Sequence, residues 1–384
     1  MHGIFPRLTS TALYILFAFS AGALVSADSP QDIASAYGLA TSTSLVFPTA
    51  TLATSDATSF MVSNWGLGKG RVEDDPSDLA FVSDPFPTKP VPTKSDPSNT
   101  NGPVLQVDYP AGSFSGATGG AQFTSLFNGS QPWQSMLVSY EVAFAAGFNF
   151  VKGGKLPGIR GGPEPDGCSG GSQPTGADCF TARLMWRTNG AGEIYAYIPP
   201  TGITCSTSKG QFICNSDFGI SIDRGSFTFP TGQWSRVSLL VLLNDPPSES
   251  NGYMGLYFND VQAISQSGLQ IRTADTVNAT GLFFSTFFGG ADSSWATPTD
   301  QHTYFRNMNI WASPAGSNLT ASSPESSTSQ PTSSAKSGKS THSSSSPGST
   351  ATGSISNGMR VRVFQSFYVA SSIAFSLFSV FGML

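Results

Sequence analysis

Histidine is almost missing: three in 384 residues, and only His302 lies between the two terminal segments described below. With one imidazole available, a Ser-His-Asp hydrolase is a poor fit, and His302 is expected to be structural or to face substrate rather than to act as a base. Charge is also scarce. Asp, Glu, Lys and Arg make up 11% of the chain, the net charge is −5, and no basic stripe offers itself to nucleic acid. There are only four cysteines and no CxxC pair, which removes the usual zinc spacing. The ExDxE spacing of one large class of sandwich glycosidases is absent. Glu141 and Glu193 are isolated in sequence, although a pair formed in space stays open. Asp292, Asp300 and the Trp295 loop could line a cleft or hold calcium, but they lack a ligand spacing. No stretch between residues 28 and 313 keeps a 3.6-residue apolar period for more than two turns, which excludes helical fold classes. No metal, cofactor or nucleic-acid partner is expected, and the chain is expected to be a monomer.

What is abundant is Gly (41), Phe (29) and alternation. The runs SMLVSYEVAF (135–144), FTARLMWR (180–187), EIYAYIP (193–199), WSRVSLLVLL (234–243), YMGLYF (253–258), GLFFSTFF (281–288) and TYFRNMNIW (303–311) are divided by Gly, Asn, Asp or Pro clusters. In the first, Met136, Val138, Tyr140, Val142 and Phe144 share one face, the pattern of a half-buried strand. Many short strands between turn signals predict an all-β fold, a β-sandwich or jelly roll, as a single globular domain over 28–313. Residues 28–100, polar and Pro-rich, read as an extended lead-in with short strands.

Residues 1–27 have the basic Arg7, an apolar run from Ala12 to Leu24, and Val25-Ser26-Ala27, which together predict a cleaved signal peptide. Residues 314–356 are rich in Ser, Thr and Pro and are expected to form an extended, O-glycosylated stalk. In 357–384, Arg360 and Arg362 precede the apolar tail, the reverse of what a spanning helix would show, so the segment reads as a GPI-attachment signal. Ser356 is the expected attachment residue, with Ser354 next. Sequons at Asn128, Asn278 and Asn318 predict surface positions. The expected location is outside the cell, on the surface or in the wall, with membrane contact only through the GPI anchor. There the even cysteine count implies disulfides. Of three pairings, Cys168–Cys179 with Cys205–Cys214 is favoured because each bond pins one Gly-rich loop.

The hairpin FTARLMWR-TNGAG-EIYAYIP carries the functional reading. With Arg187 opposite Glu193, Arg183 faces Tyr197 and Met185 faces Tyr195. Thr181, Arg183, Tyr195 and Tyr197 then share one face, while Phe180, Leu184, Trp186, Ile194 and Ile198 share a core face. A slip of two residues preserves these faces; a slip of one destroys them. Arg187 and Glu193 form an ordinary cross-strand ion pair, which leaves Arg183 free for another use. Upstream, KGGKLPGIRGG (152–162) reads as a Gly-rich loop that lets a long ligand approach its backbone and brings Lys155 over the same face. One guanidinium, one ammonium, two phenols and a hydroxyl suit β-elimination in a uronic-acid polymer. That reaction needs a carboxylate partner, a base for the C5 proton and an acid for the leaving oxygen. Lys152, Arg160 and Arg187 are expected to bind the same acidic polysaccharide. A surface-anchored binding or structural protein with the same groove remains the alternative.

GGKLPG, then TARLMWR, then GEIYAY, in that order, resemble polysaccharide lyase family 14, the alginate and glucuronan lyases of jelly-roll fold. DRGSFTFPTGQW, LLVLLNDP with NGYMGLYFND, and FFGGADSSWATPTDQHTYF are similar to its fungal members. The resemblance implies a metal-independent lyase whose catalytic set is Lys155, Thr181, Arg183, Tyr195 and Tyr197. Thr181 stands where that family has Ser, which keeps the hydroxyl and adds a methyl.

Overall fold

All seven alternating runs become strands. In chain order the computed structural model has β1 (Thr41–Ser44), β2 (Leu79–Val82), β3 (Val104–Tyr109), β4 (Ala121–Leu126), β5 (Ser135–Phe144), β6 (Gly153–Gly161), β7 (Phe180–Arg187) and β8 (Ala191–Tyr197). They continue with β9 (Phe212–Ile213), β10 (Ile220–Thr228), β11 (Trp234–Leu242), β12 (Gly252–Phe258), β13 (Val261–Leu269), β14 (Ala279–Phe288) and β15 (Gln301–Ser313). The structure describes residues 28–93, 102–115, 118–127, 129 and 131–319. The expected leader 1–27, Asn128, the stalk from residue 320 onward and Ser356 with its tail lie outside the described residues.

The described strands pair antiparallel in two sheets. One runs β13-β12-β11-β5-β15-β3-β2, with β1 beside the far half of β15; the other runs β4-β14-β6-β7-β8-β10-β9. Packed face to face they form the expected β-sandwich, a jelly roll. Val138, Val142 and Phe305 from the first sheet meet Leu156, Leu184, Trp186, Ile194 and Phe284 from the second in one core. A buried polar bond also crosses it: the Tyr140 hydroxyl donates to the Pro157 carbonyl at 2.9 Å.

Three expectations need correction. β5 is buried along its whole length, not on one face. Its second face carries Leu137, packed with Ile33 and Ala34 of a helix α1 (Pro30–Ala36), and Glu141, which is ion-paired to Arg236 and Arg306. The lead-in is not merely extended. It holds α1, with a Ser29/Asp32 capping box, and a three-turn α2 (Thr54–Asn64). α2 buries only Ala57 and Met61, too little apolar signal to stand out in a Ser/Thr-rich stretch. Lastly, 153–161 is no loop.

Candidate active site

The Gly-rich segment is β6, a central strand held between β14 and β7. Its glycines serve the protein's own backbone. A Cβ on Gly158 would stand 2.0 Å from the Ala182 carbonyl oxygen, and one on Gly154 would stand 2.1 Å from the Trp186 ring. The ligand-approach explanation therefore gives way to strand packing. The register with β7 shifts between Leu156 and Gly158, leaving Pro157 as an extra residue. Its freed carbonyl is the one taken by Tyr140. A bulge bends a strand and re-aims its side chains; here it separates Lys155, opposite Met185, from Gly158, opposite Arg183.

The β7–β8 hairpin has the expected faces in a register slipped by two: Thr181 faces Tyr197, Arg183 faces Tyr195 and Met185 faces Glu193. Phe180, Leu184, Trp186, Ile194 and Ile198 enter the core. Arg187 and Glu193 are still paired, at 2.5 Å, but diagonally. Nor is the pair ordinary, because Glu193 is fully buried and also takes Ser221 Oγ at 2.6 Å and Arg224 Nε at 2.7 Å.

On the outer face of this sheet Arg183 is about 1% exposed. One Nη donates to Ser285 Oγ at 3.1 Å, while Nε and the other Nη have no partner. No carboxylate lies within ion-pair distance of it among the described residues. Its guanidinium carbon is 4.8 Å from the centre of the Phe283 ring, and burial brings its pKa down to about 10. Lys155 also lacks an acid partner among the described residues. Its Nζ sits 3.1 Å from Met185 Sδ and 3.9 Å from the centre of the Tyr195 ring. Burial, then the positive charges of Arg183 and Arg187, hold its pKa well below the usual lysine range. A hydrophobic setting and neighbouring cations are the two ways to make a lysine amine available near neutral pH.

The phenols are fixed by two loops. Tyr195 Oη accepts from Gly219 N at 2.9 Å, and Tyr197 Oη accepts from Gly171 N at 3.2 Å, which leaves each hydroxyl proton free. Burial, with Tyr197 beside it, pushes the Tyr195 pKa upward. Both expected disulfides form, Cys168–Cys179 and Cys205–Cys214, with Cα–Cα distances of 5.9 and 5.4 Å. Gly171 lies inside the first bridge, and Cys168 and Cys179 pack on Met185, Tyr195 and Tyr197.

The remaining expected residues fall into place differently. Thr181 donates its proton to the Cys168 carbonyl at 2.7 Å, which leaves lone pairs, not a donor, for a ligand. Arg160 shares the face but is spent on the carbonyls of Glu164, at 2.7 Å, and Pro165. Lys152 is exposed beyond the start of β6, and Arg187 is tied to Glu193. Asp292 caps the turn Ser293–Trp295, and Asp300 accepts from Ala111 N at 2.8 Å, so both secure loops. His302 pairs with Asp108 at 2.7 Å on the other sheet. Asn318 is exposed, and Asn278 is half-buried with its amide donating to Asp275 O at 2.9 Å. Sequence reasoning missed Ser285, Gln122 behind it at 3.1 Å, and Phe283. Ser285 and Phe283 come from β14, about a hundred residues after Arg183, and Gln122 from β4, about sixty before it, and no local pattern links them. A cavity of about 600 Å³ opens beside β1 and β15 around Phe47 and Met308, away from these groups.

Two checks follow from this geometry. Replacing Cys168 and Cys179 together by Ser should lower stability by roughly 2–3 kcal/mol, the value for closing a loop of this length. It should also slow any reaction that uses Tyr197, since Gly171 would no longer be held; an unchanged rate would show the bridge to be irrelevant to the site. The second concerns Lys155. Its folded pKa lies below the unfolded value of 10.5, so unfolding takes up a proton and stability rises with pH across that window. Urea midpoints measured between pH 7 and 9 should climb less steeply in Lys155→Met than in the wild type.

In architecture this is a two-sheet jelly roll whose unpaired cations and phenols line the outer face of one sheet. The family model described as Polysaccharide lyase 14 matches residues 97–308, more than half of the chain, and the chain belongs to that family. Among solved structures it is similar to a marine PL-14 alginate lyase from Aplysia kurodai, with 29% identity and a TM-score of 0.57 over 70% of this chain and 100% of that one. It also shares the fold of the alginate lyase Aly36B, with 20% identity and a TM-score of 0.50 over 70% of this chain and 96% of that one. A comparison with curated proteins gives no match.

Proposed function

We propose that the protein cleaves a uronic-acid polymer of alginate or glucuronan type by β-elimination. Arg183 carries the reading. A guanidinium this deeply buried, with two nitrogens unpartnered and no acid beside it among the described residues, is costly to keep, and a uronate carboxylate is the partner its planar fork fits. Arg183 holds that carboxylate and stabilises the charge that develops as C5 loses its proton. Lys155, with its lowered pKa, accepts the C5 proton. The C5–H electron pair becomes the C4–C5 double bond, the C4–O bond breaks, and the phenol proton of Tyr195 passes to the leaving oxygen. No water is consumed. Tyr195 suits the donor role because its raised pKa keeps it protonated at neutral pH.

The test is ultraviolet absorbance of the unsaturated chain end, followed over a panel of polyuronates with a neutral glucan as control. Absorbance rising on at least one polyuronate supports the reading; a folded, glycosylated preparation that binds these polymers without cleaving them would leave a carbohydrate-binding protein. Secretion and a GPI anchor complete the proposal, on the strength of the sequence features at both ends and the two disulfides. A phosphoinositide-specific phospholipase should release the protein from intact cells, and retention in the bilayer would refute the anchor.

A further inference from the structure

Beyond the reacting groups the same face continues to a second feature. Gly289 joins the two: a Cβ placed there would lie 3.7 Å from Met185 Cε and 3.6 Å from Trp295 Cε3. The thioether that touches Lys155 therefore neighbours the Trp295 indole. Next to it Gly290, at φ +84°, lies under the five-membered ring, since its imagined Cβ would be 2.1, 2.1 and 2.4 Å from Cδ1, Cγ and Cδ2. Backbone without a side chain thus supports one side of the ring, and Trp295 is only partly buried. Lys152 stands beside it, exposed, with Nζ 5.9 Å from the ring centre and 2.5 Å from Ser294 Oγ. A carboxylate near this group, Asp292, is held by the backbone N–H of Ser294 at 2.9 Å and by the Ser294 hydroxyl.

We propose that Trp295 and Lys152 form a binding subsite for a second uronic-acid residue, adjoining the one held by Arg183. This rests on the polyuronate reading above. An indole supported on one side offers its remaining surface to the C–H face of a pyranose, and the ammonium reaches the carboxylate of the same sugar. Neither group takes part in bond breaking. The subsite selects for chain length and for charge, and a polymer of neutral sugars would satisfy the indole but not the lysine.

Electrophoretic retardation in gels containing a polyuronate measures this without requiring cleavage, and steady-state kinetics measure it with cleavage. Trp295→Ala should weaken affinity about tenfold, the equivalent of about 1.4 kcal/mol, and should raise KM more than it lowers kcat. Trp295→Phe, which keeps an aromatic face, should recover most of that loss and covers the case in which the alanine variant does not fold. Lys152→Ala should flatten the salt dependence of binding to polyuronate. If Trp295→Ala and Lys152→Ala are retarded like the wild type, or if their whole effect falls on kcat, the subsite is refuted while the lyase reading stands. If the wild type is retarded by no polyuronate, both fall together.

Discussion

Arg183→Met should slow cleavage by a factor on the order of 10³ while leaving the protein as stable as the wild type or more so. The two halves of that result have one cause. The guanidinium has a single hydrogen bond, to Ser285, and two buried nitrogens without partners. Leaving a buried polar group unsatisfied costs roughly 1–3 kcal/mol, and more when it is charged. A thioether of similar volume removes that cost, and even buried charges that are paired can often be replaced by apolar residues with a neutral effect or a gain of about 1–4 kcal/mol. The rate should fall by a factor on the order of 10³, since removal of a single donor that stabilises developing negative charge already costs about 10²–10³. Arg183→Lys keeps a charge but loses the planar fork, so it too should cut activity strongly. Urea unfolding and the unsaturated-end assay together read both halves. A variant that loses stability with its activity would mean that Arg183 is a structural residue.

Tyr195→Phe should slow cleavage by about 10²–10⁴, the usual worth of a positioned proton donor. Folding should suffer little. The phenol oxygen accepts one bond, from Gly219 N, and its loss costs about 1 kcal/mol. Affinity for uncleaved polymer should change less than the rate, because proton donation matters in the transition state. If binding falls as far as the rate does, Tyr195 holds substrate and another group supplies the proton.

Much of this face was legible in the hairpin. Alternation in FTARLMWR and EIYAYIP assigns Arg183, Tyr195 and Tyr197 to one side in every register that differs by an even number of residues, so the slip of two residues did no damage. The same reasoning failed at 152–162 for a physical reason. Gly and Pro usually punctuate, but in β6 the glycines admit Trp186 and the Ala182 carbonyl, and Pro157 marks a bulge inside a strand. Glu193 looked like one half of a surface pair because its two further partners, Ser221 and Arg224, lie about thirty residues downstream. Ser285 and Phe283 were invisible for the same reason at a larger separation. Thr181 shows a different limit: the sequence supplies a hydroxyl on the correct face, but only the fold commits its proton to Cys168.

The central claim is elimination rather than hydrolysis, and the mass of the new non-reducing ends tests it most directly. In products from the wild type, examined by mass spectrometry, every new non-reducing end should be lighter by one water than a hydrolytic end. New non-reducing ends of full hydrolytic mass would identify a hydrolase and contradict the account.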